Sequence, residues 1–203
     1  MFLNKLQLII LLLIILLILL YIFSYKRDEV YYIEDFLSKN DHEYIKNYVK
    51  NINNMKNESF RYIKPINDKN IQEIFYSENI INKIESIIDN KIKESNFPIE
   101  YRIYPKGSEG MKCHKDTLLY DKPQYEAIFT INNESNSVTQ WKDNYGQIHG
   151  LWTEPNSLLI VKANGYEHHV TPPVVGEREI LKLIYTQSDI VNNNYKKEIK
   201  RFK

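Results

Sequence analysis

The sequence predicts an α+β protein in which two helices flank an antiparallel β double sheet, with one membrane-spanning helix ahead of them. Three observations lead there: an apolar run near the N-terminus, helical periodicity in the segment after it, and short β-rich runs separated by turn residues from Pro98 onward.

The apolar run is "LQLIILLLIILLILLYIF", Leu6 to Phe23, interrupted only by Gln7 and by Tyr21 at its end. Eighteen helical residues span about 27 Å, close to the ~30 Å hydrocarbon core of a bilayer. The following "YIFSYKRDEV" holds no small-residue cleavage site, so an uncleaved anchor over residues 1–24 is expected rather than a signal peptide. Lys5 and the terminal amine stand on one side, Lys26 and Arg27 on the other, which leaves the orientation undecided by the positive-inside rule. Residues 25–31 read as a polar stalk, residues 32–190 as one domain, and residues 191–203, with "YKKEIKRFK", as a basic, solvated tail.

With 27 basic and 26 acidic side chains the net charge is +1. A broad nucleic-acid-binding surface is therefore not expected. Cys113 is the single cysteine, which excludes an intrachain disulfide and a Cys-rich zinc knuckle. The sequons at Asn57 and Asn133 carry little weight in so Asn-rich a chain.

In "VYYIEDFLSKNDHEYIKNYVKNI" a short strand precedes a helix capped by Ser38, with Asp41 three residues on and Tyr44, Ile45, Tyr48 and Val49 in one stripe. "NIQEIFYSENIINKIESIIDNKIKE" repeats that spacing from Ile71 to Ile88 and reads as the second helix. After Pro98 come "IEYRIYP", "YEAIFTIN", "SVTQW", "GLWTE", "SLLIVK" and "EILKLIYTQ", the texture of an antiparallel sandwich or barrel.

In "YPKGSEGMKCHKDTLLY", His114 and Asp116 stand two residues apart. In extended chain such side chains leave the same face, so imidazole and carboxylate can converge on one ion. A third ligand is available 54 or 55 residues later, at His168 or His169. Two histidines and one carboxylate occupy one face of an octahedral ion and leave three positions open, which suits non-heme Fe(II). Arg178 follows ten residues after His168 on the next strand and can pair bidentately with a carboxylate. Adjacent strand residues face opposite ways, so His168 and His169 cannot both ligate one ion in regular extended chain.

Together, H-x-D, H-x-V-T-P and G-x-R resemble the Fe(II)/2-oxoglutarate-dependent dioxygenases, in particular the prolyl 4-hydroxylase-like branch. The likeness runs over about residues 30 to 187 and includes the opening "YYIEDFLSKNDHEYI". It implies a double-stranded β-helix (jelly-roll) core and His114, Asp116 and His168 as iron ligands. It also implies Arg178 as the anchor for the distal carboxylate of 2-oxoglutarate, with Tyr104 and Thr130 beside that ligand. Val170, Thr171, Pro172, Gly176 and Arg178 fit the pattern when counted from His168; from His169 the arginine falls at +9, a spacing that some prolyl hydroxylases use. The cofactors so implied are Fe(II), 2-oxoglutarate as co-substrate and ascorbate as reductant. The reaction is hydroxylation of a C–H bond, most often of a prolyl or lysyl residue in a protein or peptide, here at a single-pass membrane such as that of the endoplasmic reticulum.

Two features depart from the family. Its Gly-Gly pair on the strand closing the site is replaced in "ESNSVTQWKDNYGQIHG", and its Pro-Gly turn becomes Pro155-Asn156. The first opens one rival reading, a tethered binding module without turnover; a separate rival is a zinc-type hydrolase on the same ligands. Elsewhere, His149 reads as a loop residue, His42 as helix surface, Trp141 and Trp152 as core, and Cys113 as facing away from the site.

Overall fold

The computed structural model describes residues 7, 10–17, 29–58 and 60–202. Residues 10–17 are helical and exposed. The rest of the expected anchor, and the stalk before residue 29, lie outside the described residues. Among the described residues no helix is long and apolar enough to cross a membrane. The stalk ends earlier than expected, because strand β1 (Val30–Ile33) pairs Val30 with Val161 and belongs to the domain.

Helix α1 (Lys39–Val49) is capped as expected, the Ser38 hydroxyl accepting from the Asp41 amide. His42 is not a plain surface residue: its Nε2 bonds the Ile131 carbonyl at 2.9 Å. The segment expected as one second helix is two, α2 (Lys69–Tyr76) and α3 (Glu78–Ile88), because Ser77 is extended (φ −58°, ψ 149°). Its carbonyl nevertheless accepts from the Ile81 amide and starts the new helix. The break lets Ile71, Phe75, Ile84 and Ile88 all reach one sheet.

That sheet has the order β1, β10 (Ser157–Lys162), β7 (Tyr125–Asn133), β12 (Arg178–Thr186), β5 (Ile99–Tyr104), β3 (Arg61–Ile66), β2 (Lys56–Glu58), with β4 (Lys93–Glu94) paired to β12. A second sheet runs β6 (Met111–His114), β11 (His168–Val170), β8 (Thr139–Lys142), β9 (Ile148–Leu151). From β5 to β12 the chain passes repeatedly between the two, and the named pairings are antiparallel. This is the jelly-roll winding that the resemblance implies.

Alternation along the large sheet decides what the site is made of. Tyr101, Ala127, Phe129, Ile131, Leu158, Ile160, Leu181 and Leu183 point to the helices and form the main core with them. The residues between them, Arg102, Glu126, Ile128, Leu159, Arg178, Ile180 and Lys182, point into the space between the sheets. A register slip of one residue would put arginines among the isoleucines of the helices, so the apolar core also fixes which charges face the cavity. Asn156 tolerates φ 63° in the turn before β10, and its side chain bonds both the amide and the carbonyl of Leu37.

The basic C-terminus is not a solvated tail. Helix α4 (Asn193–Glu198) and a 3₁₀ turn (Ile199–Phe202) pack against Phe97, Leu119, Tyr120 and Ile184. Tyr195, Ile199 and Phe202 recur at helical spacing and bury one face, while the lysines between them stay outside.

Candidate active site

β6 ends at His114 and β11 begins at His168, and the two are Cα partners in the small sheet. Their rings lie 4.4 Å apart between centroids. Asp116 stands two residues past His114, and its carbonyl accepts from the Asn164 amide at 2.9 Å. Its carboxylate oxygens are 3.6 Å from His114 Nε2 and 3.5 Å from His168 Nε2. One ligand atom from each residue falls within 4.8 Å of the others.

The other nitrogen of each ring is tied down. His114 Nδ1 donates to the Lys112 carbonyl at 2.8 Å and His168 Nδ1 to the Tyr166 carbonyl at 3.2 Å. A carbonyl only accepts, so both Nδ1 atoms carry the proton and both Nε2 lone pairs face the carboxylate, the tautomer a metal requires. The Asp116 carboxylate, which would accept from a protonated Nε2, raises the His114 pKa, whereas burial lowers that of His168. Burial would raise Asp116, but the bond to His114 and the charges of Lys182 and His168 outweigh it and hold the carboxyl at about 2. The donor set is one carboxylate and two Nε2 atoms held within 4.8 Å of one another, and it fits a divalent ion, whose binding would displace any proton from either Nε2. His169 pairs with Gln140 and stands outside this group, so the two histidines are separated as the strand alternation demands.

The triad opens onto a cavity of about 280 Å³ between the sheets. At one end Arg178 is paired in register with Tyr104. The Arg178 side chain is 3 % exposed, and its Nη1 reaches only Thr139 Oγ1, at 3.5 Å. Its Nε is buried with no hydrogen-bond partner among the described residues. Burial lowers its pKa, as expected for a cation without a counter-ion, so this end of the cavity is built to receive an anion. Burial would raise the Tyr104 phenol, but the guanidiniums of Arg102 and Arg61, as charges and as hydrogen-bond donors, bring it below its usual value. Thr130 shares the inward face of β7, but its hydroxyl donates to Thr153 at 2.9 Å and it lies outside the cavity lining.

Sequence reasoning missed the other inward charges. Glu126 is ion-paired with Lys182. Burial pushes the Glu126 carboxyl up, with Lys182 opposing and Asp116 adding to the rise. Glu100 accepts from Arg102 at 2.9–3.2 Å and from Arg201 at 2.7 Å. Their signal was there: each alternates with an apolar residue in a double sheet, where both strand faces are covered. His149 bonds Asp143 at 2.8 Å and stacks on Trp141 at 5.3 Å, outside the cavity lining. Trp152, expected in the core, is 39 % exposed. Cys113 is exposed.

No family model matches the chain, and no curated protein does. Solved structures match strongly. A 2OG-Fe(II) oxygenase family oxidoreductase from Burkholderia pseudomallei aligns with a TM-score of 0.70 at 9 % identity, over 81 % of this chain and 87 % of that one. HygX from Streptomyces hygroscopicus, with nickel, 2-oxoglutarate and hygromycin B bound, aligns at 0.63 and 9 % identity over 84 % and 86 %. A prolyl hydroxylase from Trichoplax adhaerens, in complex with a hypoxia inducible factor peptide fragment, aligns at 0.58 and 14 % identity over 77 % and 83 %. The chain has the fold of the 2OG-Fe(II) oxygenases, prolyl hydroxylases among them.

Proposed function

We propose that this chain is an Fe(II)- and 2-oxoglutarate-dependent dioxygenase. The observation that carries the reading is the pairing, in one cavity, of the His114–Asp116–His168 group with the buried, uncompensated guanidinium of Arg178. A metal ligand set alone would suit many reactions. A metal ligand set sharing a cavity with a buried guanidinium suits a co-substrate that chelates the ion at one end and carries a carboxylate at the other, as 2-oxoglutarate does. HygX, with nickel and 2-oxoglutarate bound in the same fold, supports it.

In this reading His114, Asp116 and His168 hold Fe(II), which with 2-oxoglutarate supplies the oxidising chemistry, and ascorbate serves as reductant. Arg178 grips the distal carboxylate, and Tyr104 lies beside it. The Lys112 and Tyr166 carbonyls keep both imidazoles in the ligating tautomer. The apolar walls Ile128, Leu159, Val161 and Ile180 exclude water from the reacting centre.

The acceptor in the finer reading is a prolyl or lysyl residue of a protein or peptide, supported by the motif likeness and by the peptide-bound Trichoplax neighbour. A single-pass anchor over residues 1–24, placing the domain at a membrane such as that of the endoplasmic reticulum, rests on the hydropathy of Leu6–Phe23. The test of the activity is anaerobic loading of the full chain in detergent with Fe(II), then addition of 2-oxoglutarate, O₂ and candidate acceptors. Succinate formation that requires both O₂ and 2-oxoglutarate is expected; metal-dependent turnover without either would overturn the reading in favour of a hydrolase, and binding without succinate in favour of a non-catalytic module.

A further inference from the structure

The C-terminal segment forms part of the wall of the cavity onto which the triad opens. Asn192 starts it: its amide nitrogen donates to the Leu119 carbonyl at 3.0 Å and its side chain to the Leu118 carbonyl at 2.8 Å. Phe97 then meets Tyr195 and Phe202 edge-on, at 5.7 and 5.4 Å. The segment is thereby fixed to the stretch of chain that leaves directly from Asp116. Two of its side chains, Glu198 and Arg201, join the cavity lining with His114, Asp116 and His168.

The charges along this wall do not balance. Lys182 and Glu126 neutralise each other. The single carboxylate of Glu100 is shared by two guanidiniums, Arg102 and Arg201. Glu198 is 3.7 Å from Arg201 and its side chain is 45 % exposed, so solvent screens that contact heavily. Asp116 is the one further anion here, and in the dioxygenase reading the metal takes it, so Arg201 keeps a positive charge in excess between the rings of Phe97 and Phe202, 5.9 and 4.8 Å from its Cζ. Arg201 uses Nη2 on Glu100, and its buried Nε has no partner among the described residues. The free Nε edge can accept a carboxylate that completes a two-point guanidinium contact.

Position supports the same reading. Arg178 pairs with Tyr104, and Lys182 with Glu100, four residues further along both strands, which is about 13 Å of extended chain. Arg178 and Arg201, the latter bonded to Glu100, therefore sit toward opposite ends of the cavity.

We propose that Arg201 is a specificity-determining residue that receives a carboxylate of the acceptor, so that the acceptor is a carboxylate-bearing molecule with its oxidised C–H bond a short distance from that group. This rests on the dioxygenase reading, in which Arg178 takes the co-substrate. The carboxylate has two sources, a free amino acid or an acidic side chain next to the target residue of a peptide.

The test is calorimetry on the full chain in detergent, loaded with Ni(II) and 2-oxoglutarate. The probes are L-proline, L-lysine and blocked Pro-Asp, each against its uncharged partner, prolinamide, lysinamide and blocked Pro-Asn. At least one acid is expected to bind tenfold or more tighter than its partner, and which one does so identifies the source. Arg201→Gln should reduce that preference below twofold, and Arg201→Lys, which keeps the charge on Glu100 but loses the fork, should retain only part of it. A preference that survives Arg201→Gln, or no acid bound above its partner, overturns the inference. Titration of 2-oxoglutarate into the Ni(II) protein comes first. Failure there sinks the dioxygenase reading, whereas 2-oxoglutarate binding with acids and amides indistinguishable sinks only the role of Arg201. Should Arg201→Gln also lose 2-oxoglutarate affinity through misfolding, the Arg201→Lys preference decides.

Discussion

His114 and His168 are direct cross-strand partners, and their rings lie 4.4 Å apart at the point where the small sheet meets Asp116. Because the pairing is backbone register, the metal geometry is set by the sheet and not by side-chain choice. His168→Ala and Asp116→Ala should therefore each weaken Ni(II) or anaerobic Fe(II) binding by about 100-fold or more, beyond the 10–100-fold typical of outer-shell changes. His169→Ala should leave it within about threefold, since that side chain stands on the other face beside Gln140. Equal losses at positions 168 and 169, read by calorimetry, would contradict the register.

Arg178 gives a prediction that separates co-substrate from metal. A charge-assisted contact to a carboxylate is worth about 1.5–3 kcal/mol, so Arg178→Leu should raise the 2-oxoglutarate Kd roughly 10- to 100-fold. Arg178→Lys, keeping charge without the fork, should fall between. Metal content of the purified variants, measured alongside, should match the parent, because the hydrogen bond that Arg178 makes goes to Thr139 and not to a member of the triad.

What could be read from the sequence divides by the kind of signal. His114, Asp116 and Arg178 were legible because their spacings are tied to strand alternation and one strand-to-strand passage, and Ile71 to Ile88 because their period is helical. The break at Ser77 was not, since a serine inside a strong apolar pattern has no distinctive neighbours. Glu100, Glu126 and Lys182 were hidden because a charge that alternates with apolar residues ordinarily marks a solvent face, whereas here the opposite sheet covers it. Arg201 was hidden by composition: the lysines around Tyr195, Ile199 and Phe202 masked their helical spacing.

Glu100 should make stability depend on acid. Its burial works to raise the pKa, but Arg102, Lys182 and Arg201 outweigh that and bring the carboxyl to about 2, below the ~4.3 of an unfolded chain. A depressed carboxyl stabilises the folded state above the unfolded pKa, and that contribution fades as pH falls from about 4 toward 2. Urea unfolding of the metal-free protein should therefore lose stability over that window. Glu100→Gln should lower stability near neutral pH by about 3–5 kcal/mol, the usual cost of leaving a buried partner charge unpaired, and should flatten the acid slope. An unchanged slope in Glu100→Gln would show that other carboxyls, Asp116 among them, carry it.

Gly110 offers a way to perturb the metal site without touching a ligand. It precedes β6 with φ 70°, and a Cβ there would lie 2.3 Å from the Val170 carbonyl oxygen and 2.8 Å from the Pro172 nitrogen. Both are backbone atoms of the chain that carries His168, so they can yield only if β6 and β11 separate. Gly107 is the control: its φ of 80° is equally left-handed, yet nothing lies within 4 Å of its missing Cβ. Gly107→Ala should cost only the 1–2 kcal/mol of a left-handed alanine and keep metal affinity. Gly110→Ala should cost more and also weaken metal binding about tenfold or beyond, because the His114–His168 pairing it disturbs is the same pairing that holds two of the three ligands. Thermal midpoints together with metal titrations of both variants check this: two variants that lose stability equally and bind metal equally would show that the close packing at Gly110 does not set the site.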